Sequence, residues 1–305
     1  MTAIRARDVR KEFDGTVVLD GVDLDVADDE TLVLMGPNGV GKTVLLSCLA
    51  GSTTPTDGHV EAFGGEVPTP EVAFLQQEAM GIDALTGREN VSFYSRLHPE
   101  FTDRWEEYVA RFGVEDALDK RLADCSVGMQ RKVELAIALS IDAPVYLLDE
   151  PTAGLDLSMI QTFHEIVRER DAAFVVSSHL PHDADLADRI AFVDDGGVVA
   201  TGAPEAMLDA LPPVASVMGV EAGSALEEFV VDGRVFSDGG QTRGFLRDGV
   251  DVDDVAEVVD DGDSPASDRE RVTESPPTYT DLFNYYTHIY SGEPQSRAKP
   301  AARQR

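Results

Sequence analysis

Long apolar runs are absent from this sequence of 305 residues. No stretch reaches the roughly 18 consecutive apolar residues that a membrane-spanning helix needs. The opening segment also lacks the apolar core of a secretory signal peptide. Cysteine is scarce: Cys48 and Cys125 are far apart and lack the spacing of a metal site, which favours a reducing compartment. These absences predict a cytoplasmic protein without a transmembrane segment.

Positive charge is the second scarcity. Lys and Arg total 25 against 57 Asp and Glu, which gives a formal net charge of -32. Such an excess of acid argues against binding nucleic acid through a basic face, so we expect no nucleic-acid partner. Self-repulsion at this level is screened at high salt. We therefore interpret the chain as a protein of a salt-rich, halophilic cytosol, with an ordinary acidic protein as the alternative.

Short apolar runs alternate with helical patterns up to about residue 205. The runs TLVLM, VYLLD and AFVVSS are typical of buried parallel strands covered by helices on both faces. Before them, IRARDVRKEFDGTVVLDGVDLDV indicates antiparallel strands. The sequence thus predicts an α/β domain over residues 1–210, beyond which PPVASVMGVEAG is typical of a linker. A small α/β extension over 211–292 and a disordered tail over 293–305 complete the predicted organisation.

The octapeptide GPNGVGKT follows the first of these strands and opens a helix pattern. It fits the phosphate-binding pattern G-x-x-x-x-G-K-[ST] in the strand–loop–helix context that this pattern requires. The Lys supplies a positive charge to the β- and γ-phosphates, and the hydroxyl of the last residue can ligate Mg²⁺. We therefore predict a nucleotide-phosphate site formed by Gly36, Pro37, Asn38, Gly39, Val40, Gly41, Lys42 and Thr43.

A second anchor lies in VYLLDEPT, over residues 145–152. The apolar strand ends at Asp149, whose carboxylate would lie beside the phosphate loop and could hold Mg²⁺ through water. Glu150 follows directly, and a carboxylate just past the strand end can orient and polarise an attacking water. We therefore predict that Asp149 contributes to a metal site and that Glu150 is catalytic.

Together these motifs resemble those of the ATP-binding subunits of ABC transporters. Five further pieces occur in the order of that family, and four of them are represented by single side chains. The resemblance implies that Phe13 stacks on adenine and that His179 contacts the γ-phosphate. It also implies that Gln77 touches Mg²⁺ or the attacking water, with the adjacent Gln76 as the alternative register. Asp156, in TAGLD, would lie near a dimer seam.

The fifth piece is DCSVGMQRK, which occupies the family's signature position at residues 124–132. Ser126 and Gly128 match the family's Leu-Ser-Gly-Gly-Gln, and the resemblance implies that both contact the ATP of another subunit. Val127 replaces the first Gly, and a β-branched residue there would resist a positive φ if the position required one. The other two departures from the family's motif are Cys125 and Met129.

The resemblance implies a P-loop NTPase of the ABC ATPase type. Its parallel-sheet core would be joined to an antiparallel β lobe and to a helical subdomain at about residues 85–140. Two such subunits, which we expect to be identical copies, would enclose two ATP molecules with Mg²⁺ in a head-to-tail dimer. Hydrolysis would power a separate membrane permease, which would hold the chain at the inner face of the cell membrane.

Two weaker features bear on the kind of transporter. PTYTDLFNYYT resembles the ending of ATPases from ABC-2 type exporters, and the SxGM form at residues 126–129 is common in that branch. They favour an exporter over a solute importer. Alternatives that stay open are a soluble ATPase of the same superfamily acting on DNA or ribosomes, and a non-enzymatic regulatory subunit. The extension is either a passive cap or a dimer contact or regulatory module.

Overall fold

The computed structural model describes residues 1–218, 220–259 and 272–290. Contacts divide the described chain into two units, Met1–Thr201 and the residues from Gly202 onward. The sequence alone predicts this division near residue 210. The tail predicted over 293–305 lies outside the described residues. Within the described ranges, no helix is both long and apolar enough to cross a membrane.

The first unit is built from alternating strands and helices. Its strands are β1 (Thr2–Phe13), β2 (Thr16–Ala27), β3 (Thr31–Met35), β4 (Asp57–Ala62), β5 (Gly65–Glu66), β6 (Val72–Leu75), β7 (Val145–Asp149), β8 (Ala173–Ser178), β9 (Arg189–Asp194) and β10 (Gly197–Gly202). Its α-helices are α1 (Lys42–Leu49), α2 (Gly87–Leu97), α3 (Trp105–Arg111), α4 (Val127–Leu139) and α5 (Leu157–Arg168).

Two sheets organise this unit. One is antiparallel, in the order β2-β1-β4-β5. The other has the order β10-β9-β3-β8-β7-β6, and the pairs from β9 through β6 are parallel. All residues of β7 and β8 are buried, as expected for central strands covered on both faces. The predicted α/β fold with an antiparallel lobe is confirmed.

One apolar core connects α1 to both sheets. It contains Val9 and Val22 of the antiparallel sheet, Leu45 and Leu49 of α1, and Val175 of β8, all fully buried. Burying one such side chain stabilises a fold by about 1.5–3 kcal/mol. The core therefore fixes α1, and with it the loop that precedes α1, against the carboxyl ends of the parallel strands.

The helices α2, α3 and α4 lie between β6 and β7 in the chain, within the stretch where the resemblance implied a helical subdomain. Thr86 and Glu89 form a capping box that fixes the start of α2. Ser126 caps α4 by accepting a hydrogen bond from the Met129 amide at 3.3 Å. The second half of α4 is buried from Val133 to Leu139, so α4 is the helix that anchors this stretch to the core.

The second unit contains its own sheet and helices. Its strands are β11 (Val214–Val217), β12 (Phe236–Asp238), β13 (Gln241–Phe245) and β14 (Val272–Ser275), and they form an antiparallel sheet in the order β12-β13-β11-β14. Its α-helices are α6 (Pro204–Asp209), α7 (Val220–Leu226), α8 (Val252–Val259) and α9 (Tyr279–Asn284). The interpretation of PPVASVMGVEAG as a linker is wrong, because β11 lies inside it and is a central strand.

A buried ion pair fixes α9 to this sheet. Arg243 of β13 donates to both carboxylate oxygens of Asp281, at 3.1 and 2.7 Å, and both residues are buried. The same guanidinium donates to Ser216 Oγ at 3.1 Å and to the Pro276 carbonyl at 3.0 Å. Asp281 also accepts a hydrogen bond from the Thr278 amide at 2.8 Å, which caps α9. Every charged atom of the pair therefore has a partner.

The Asp281→Asn variant removes the negative charge and leaves the guanidinium of Arg243 buried and unpaired. We expect the free energy of unfolding of the second unit to fall by about 3–5 kcal/mol. Urea unfolding followed by circular dichroism measures this change. Asp248→Asn, a substitution at an exposed position, is the control and should unfold like wild type. An Asp281→Asn protein that unfolds at the wild-type urea concentration would contradict the assigned role of the pair.

Candidate functional site

The phosphate loop connects β3 to α1, and its glycines adopt conformations that other residues avoid. Gly36 has φ 150°, and a Cβ there would lie 2.2 Å from the Val193 carbonyl oxygen. Gly41, the N-cap of α1, has φ 107°. These glycines let the chain turn tightly into α1, so the first amides of the helix face the same space as Lys42 and Thr43. A helix N-terminus of this form favours phosphate.

Lys42 begins α1 and is buried. Its Nζ donates to the carbonyl oxygens of Gly36 and Pro37, at 2.7 and 2.9 Å, so the side chain folds back over the loop. Burial lowers the pKa of Lys42, while the carboxylates of Glu150 and Asp149 oppose that shift. A phosphate group placed here would add negative charge beside the ammonium group and favour its charged form.

Asp149 ends β7, and its two carboxylate oxygens differ in their contacts among the described residues. The Ser177 hydroxyl of β8 donates to Asp149 Oδ1. Oδ2 is buried, and no hydrogen-bond partner for it lies among the described residues. A buried carboxylate oxygen without a partner requires a cation or a water, and Mg²⁺ prefers such oxygen ligands. With the Thr43 hydroxyl exposed in the first turn of α1, this donor set fits Mg²⁺.

Glu150 is held in a strained backbone conformation. Its φ is 46°, a left-handed value that costs a residue other than glycine about 1–3 kcal/mol. The Glu150 amide donates to Ser177 Oγ at 2.9 Å, which ties the strained residue to β8. Strain of this kind persists only where the surrounding contacts over-determine it, and it is common in active sites.

The Glu150 carboxylate meets two of the predicted side chains. Gln77 Nε2 donates to Glu150 Oε2 at 3.3 Å. His179 Nδ1 lies 3.1 Å from Glu150 Oε1, although the atoms are not aligned for a hydrogen bond. Gln77 also lines a pocket of about 300 Å³ together with Glu150, Val18 and residues of the phosphate loop and first turn of α1. The side chain of Gln77, rather than that of Gln76, lies in this pocket.

Nine predicted residues do not line this pocket: Gly36, Pro37 and Val40 of the phosphate loop, Asp149, His179, Phe13, Ser126, Gly128 and Asp156. Phe13 is 46% exposed at the end of β1, with Lys11 Nζ 4.7 Å from the centre of its ring. Ser126 and Gly128 lie at the start of α4, and Asp156 caps α5. The start of α4 approaches the loop before α5, since a Cβ on Gly128 would lie 3.1 Å from the Gly154 carbonyl oxygen. Within one chain Ser126, Gly128 and Asp156 therefore lie on one surface, separate from the pocket.

The backbone of Val127 shows whether a β-branched residue fits its position in the signature segment. It is the first residue of α4, and its φ is not positive. A β-branched residue therefore fits this position without strain. The side chain is 75% exposed, and Leu157, the first residue of α5, is 70% exposed. Two exposed apolar side chains thus flank Ser126 and Asp156.

A buried network that the sequence analysis missed connects the segments carrying Glu150 and His179. Asp183, fully buried, accepts hydrogen bonds from Thr152 Oγ1 at 2.7 Å and from Ser178 Oγ at 2.5 Å. Its other oxygen lies 3.1 Å from Nε2 of the buried His164 in α5. Burial alone would raise the pKa of Asp183, but these hydrogen bonds lower it below its ordinary value.

The network should stabilise the fold in a pH-dependent way. The pKa of Asp183 is lowered in the folded state. Its contribution to the free energy of unfolding is therefore fully present above the ordinary pKa of 3.8, and it is lost as the pH falls through the pKa of the folded state. We expect Asp183→Asn to lower the free energy of unfolding by about 2–3 kcal/mol at neutral pH. The difference in the free energy of unfolding between wild type and Asp183→Asn should stay constant between about pH 8 and pH 5, and it should become smaller below about pH 4.

Urea unfolding across this pH range measures the effect, and Asp185→Asn, at an exposed position nearby, is the matched control. If wild type and Asp183→Asn had the same free energy of unfolding at neutral pH, or if their difference increased in acid, the assigned role of Asp183 would be contradicted.

The fold and this site define a P-loop nucleotide-binding domain. A family model described as ABC transporter matches residues 19–153. The daunorubicin resistance ATP-binding protein DrrA3 of Streptomyces coeruleorubidus is 33% identical over 215 residues, which cover 66% of this chain and 68% of that protein. The Nod factor export ATP-binding protein I of Rhizobium etli is 30% identical and is covered over 71% of its length. The chain therefore belongs to the ATP-binding subunits of ABC transporters, a family of ATPases.

Other relatives are named for import. The xylose/arabinose import ATP-binding protein XacJ of Haloferax volcanii is 32% identical over 67% of this chain, and the match spans 57% of its own length. A solved structure described as an ATP-binding subunit of an ABC transporter shares the fold, with a TM-score of 0.62 and 23% identity over 68% of this chain and 92% of that one. The matches thus include importers and exporters, and some of them are considerably longer than the matched stretch.

Proposed function

We propose that this chain binds ATP with Mg²⁺, hydrolyses ATP, and powers a separate membrane permease. The main support for the proposal is that the predicted side chains lie close together. Lys42, Gln77 and Glu150 line one pocket, and His179 touches Glu150. None of these side chains is missing or displaced, which argues against a non-enzymatic regulatory subunit. The site supplies a phosphate anchor, a candidate base and two polar groups beside that base.

Lys42 and the phosphate loop would do the binding. The Lys42 ammonium group already lies at the loop, bonded to two of its carbonyl oxygens, and would exchange these for oxygens of the β- and γ-phosphates. The first amides of α1 would donate to the same phosphates. Thr43, Gln77 and Asp149 are the residues that would hold Mg²⁺, which supplies charge neutralisation on the phosphate oxygens when bound.

Glu150 would orient the attacking water. Its carboxylate accepts a hydrogen bond from Gln77 and lies against His179, so the three groups define a small polar space beside the loop. The water would donate to the carboxylate, and His179 would hold the γ-phosphate in line with it. Phosphoryl transfer needs mainly positioning and charge stabilisation, which these residues are placed to provide.

The Glu150→Gln variant keeps the size and the Gln77 contact of this side chain but removes its basic carboxylate. We expect ATP turnover to fall by about 100-fold to 10,000-fold, because general-base assistance is lost. ATP binding should survive, since Lys42 and the loop are unchanged. Steady-state phosphate release and equilibrium ATP binding measure the two quantities. Glu66→Gln, on an exposed edge strand, is the control, and undiminished turnover in Glu150→Gln would refute the role of Glu150.

A second copy of the chain would complete the site. Ser126, Gly128 and Asp156 share a surface away from the pocket, where the exposed Val127 and Leu157 flank them. In a head-to-tail dimer this surface of one copy would cover the ATP held by the other. The Ser126 hydroxyl, which already lies at the N-terminus of α4, would then donate to the γ-phosphate.

Substitutions of Ser126 separate this role from helix capping. Ala removes both the hydroxyl and the cap, whereas Asp retains a good cap but would place a negative charge against the γ-phosphate. We expect Ser126→Asp to lose ATP-dependent dimerisation at least as completely as Ser126→Ala, measured by sedimentation of the Glu150→Gln background with ATP. If capping were the only role of Ser126, Ser126→Asp would dimerise like the parent protein.

Two features favour an ABC-2 type exporter as the transporter that this chain serves. The segment PTYTDLFNYYT and the SxGM form both fit that branch, and the relatives named for daunorubicin resistance and Nod factor export agree with it. The chain would act in the cytoplasm at the inner face of the membrane, and its charge of -32 suits a salt-rich cytosol. Purification of the tagged chain from membranes tests this: co-purification of a polytopic permease is expected, and recovery with ribosomes or DNA instead would favour the soluble alternative.

A further inference from the structure

Arg131 lies in the first half of α4 and is buried, with 6% of its surface exposed. Its guanidinium donates to main-chain carbonyl oxygens on two separate segments. Nη2 bonds to the carbonyls of Asp149 at 2.7 Å and Glu150 at 3.0 Å, and Nε bonds to that of Pro151 at 3.4 Å. Nη1 bonds to the carbonyl of Gln76 at 3.2 Å. One side chain therefore bonds the main chain of three consecutive residues, 149–151, and also that of Gln76, which precedes Gln77.

Glu134, one turn further along α4, orients this guanidinium. Its Oε2 lies 3.4 Å from Arg131 Nη1, and both side chains are buried. Its Oε1 accepts a hydrogen bond from the Gly81 amide at 3.0 Å, so the carboxylate is held on its other side as well. Burial lowers the pKa of Arg131, and the Glu134 carboxylate opposes this shift. The pair gives Arg131 a fixed position from which to reach the four carbonyls.

The backbone that Arg131 holds is the strained one. Glu150 has its left-handed φ of 46° between two restraints. Ser177 of β8 accepts from its amide, and Arg131 of α4 donates to its carbonyl. The same carbonyl accepts from the Ala153 amide at 3.2 Å, which closes the turn after the strand. Without Arg131, the main chain of Glu150 would keep the Ser177 bond and this turn as its restraints.

We propose that Arg131 is a positioning residue for hydrolysis: by holding the carbonyls of Gln76 and of residues 149–151, it sets the carboxylate of Glu150 against the side chain of Gln77. This inference rests on the proposed function, since it gives Arg131 a role in the chemistry of that site. The signature segment lies at the start of the same helix. A shift of this segment would therefore be transmitted through α4 and Arg131 to the carboxylate of Glu150.

Two variants test the proposal. Arg131→Lys keeps a positive charge beside Glu134, but a single ammonium group cannot reproduce the planar fork that bonds four carbonyls. Arg131→Met combined with Glu134→Leu removes both charges of the buried pair together, a replacement that commonly preserves stability. Arg170→Lys is the matched control. Arg170 is another largely buried Arg that bonds a main-chain carbonyl, that of Leu139, and it bonds no residue of the site.

Three quantities are measured on full-length protein: kcat for ATP hydrolysis, the dissociation constant for ATP, and amide hydrogen exchange of residues 149–154. We expect both Arg131 variants to lower kcat by about 100-fold, because a displacement of about 1 Å in a reacting group has an effect of that size. ATP affinity should stay within about twofold, since Lys42 and its loop are untouched. Exchange of the Glu150 and Ala153 amides should accelerate, because the restraint on that turn is lost.

Arg170→Lys should match wild type in all three measurements. Wild-type kcat and wild-type exchange in Arg131→Lys and in the double variant would overturn the proposal. Equal losses of kcat and of ATP affinity in the Arg131 variants and in Arg170→Lys would also overturn it, because they would show a general structural role. If wild type itself hydrolysed no ATP, the proposed function would fail, and exchange of residues 149–154 alone would decide whether Arg131 positions Glu150.

Discussion

The main-chain position of Asp149 and Glu150 is the constraint on which the site depends. Asp149 ends a fully buried strand and Glu150 follows it directly, so both carboxylates emerge at the edge of the sheet where the phosphate loop also lies. Ser177 bonds the Asp149 carboxylate and the Glu150 amide, which ties both residues to β8. Arg131 bonds their carbonyls and ties them to α4. The left-handed φ of Glu150 is stable because contacts from two elements meet there.

Each unit contains one buried pair of an arginine and a carboxylate. Arg131 and Glu134 are paired in the first unit, and Arg243 and Asp281 are paired in the second. Removing one partner of such a pair leaves an uncompensated charge in a poorly solvated place. Among the described residues only five acidic side chains are buried, so most of their acidic charge lies at the surface, where salt screens it. The charge that suggests a salt-rich cytosol is thus separate from the charges that organise the site.

Much of the site was predictable because its motifs are local in the chain. GPNGVGKT specifies its own loop through glycines and a helix start, and VYLLDE specifies a buried strand ending in two carboxylates. Ser177, Asp183 and Arg131 escaped prediction because each acts on residues far away in sequence, and no spacing rule connects Arg131 to Glu150. β11 was mistaken for a linker because a four-residue strand after two prolines looks like a turn segment until its neighbours β13 and β14 are known.

The central claim is that each ATP is held by the phosphate loop of one copy and by the start of α4 of another. Mixing Lys42→Ala with Ser126→Asp tests it, because only a dimer of one copy of each contains one site with an intact lysine and an intact serine. Each variant alone should be nearly inactive. An equal mixture should recover roughly a quarter of wild-type turnover, since half the dimers are mixed and each has one complete site. A mixture no more active than the average of its two components would contradict the claim.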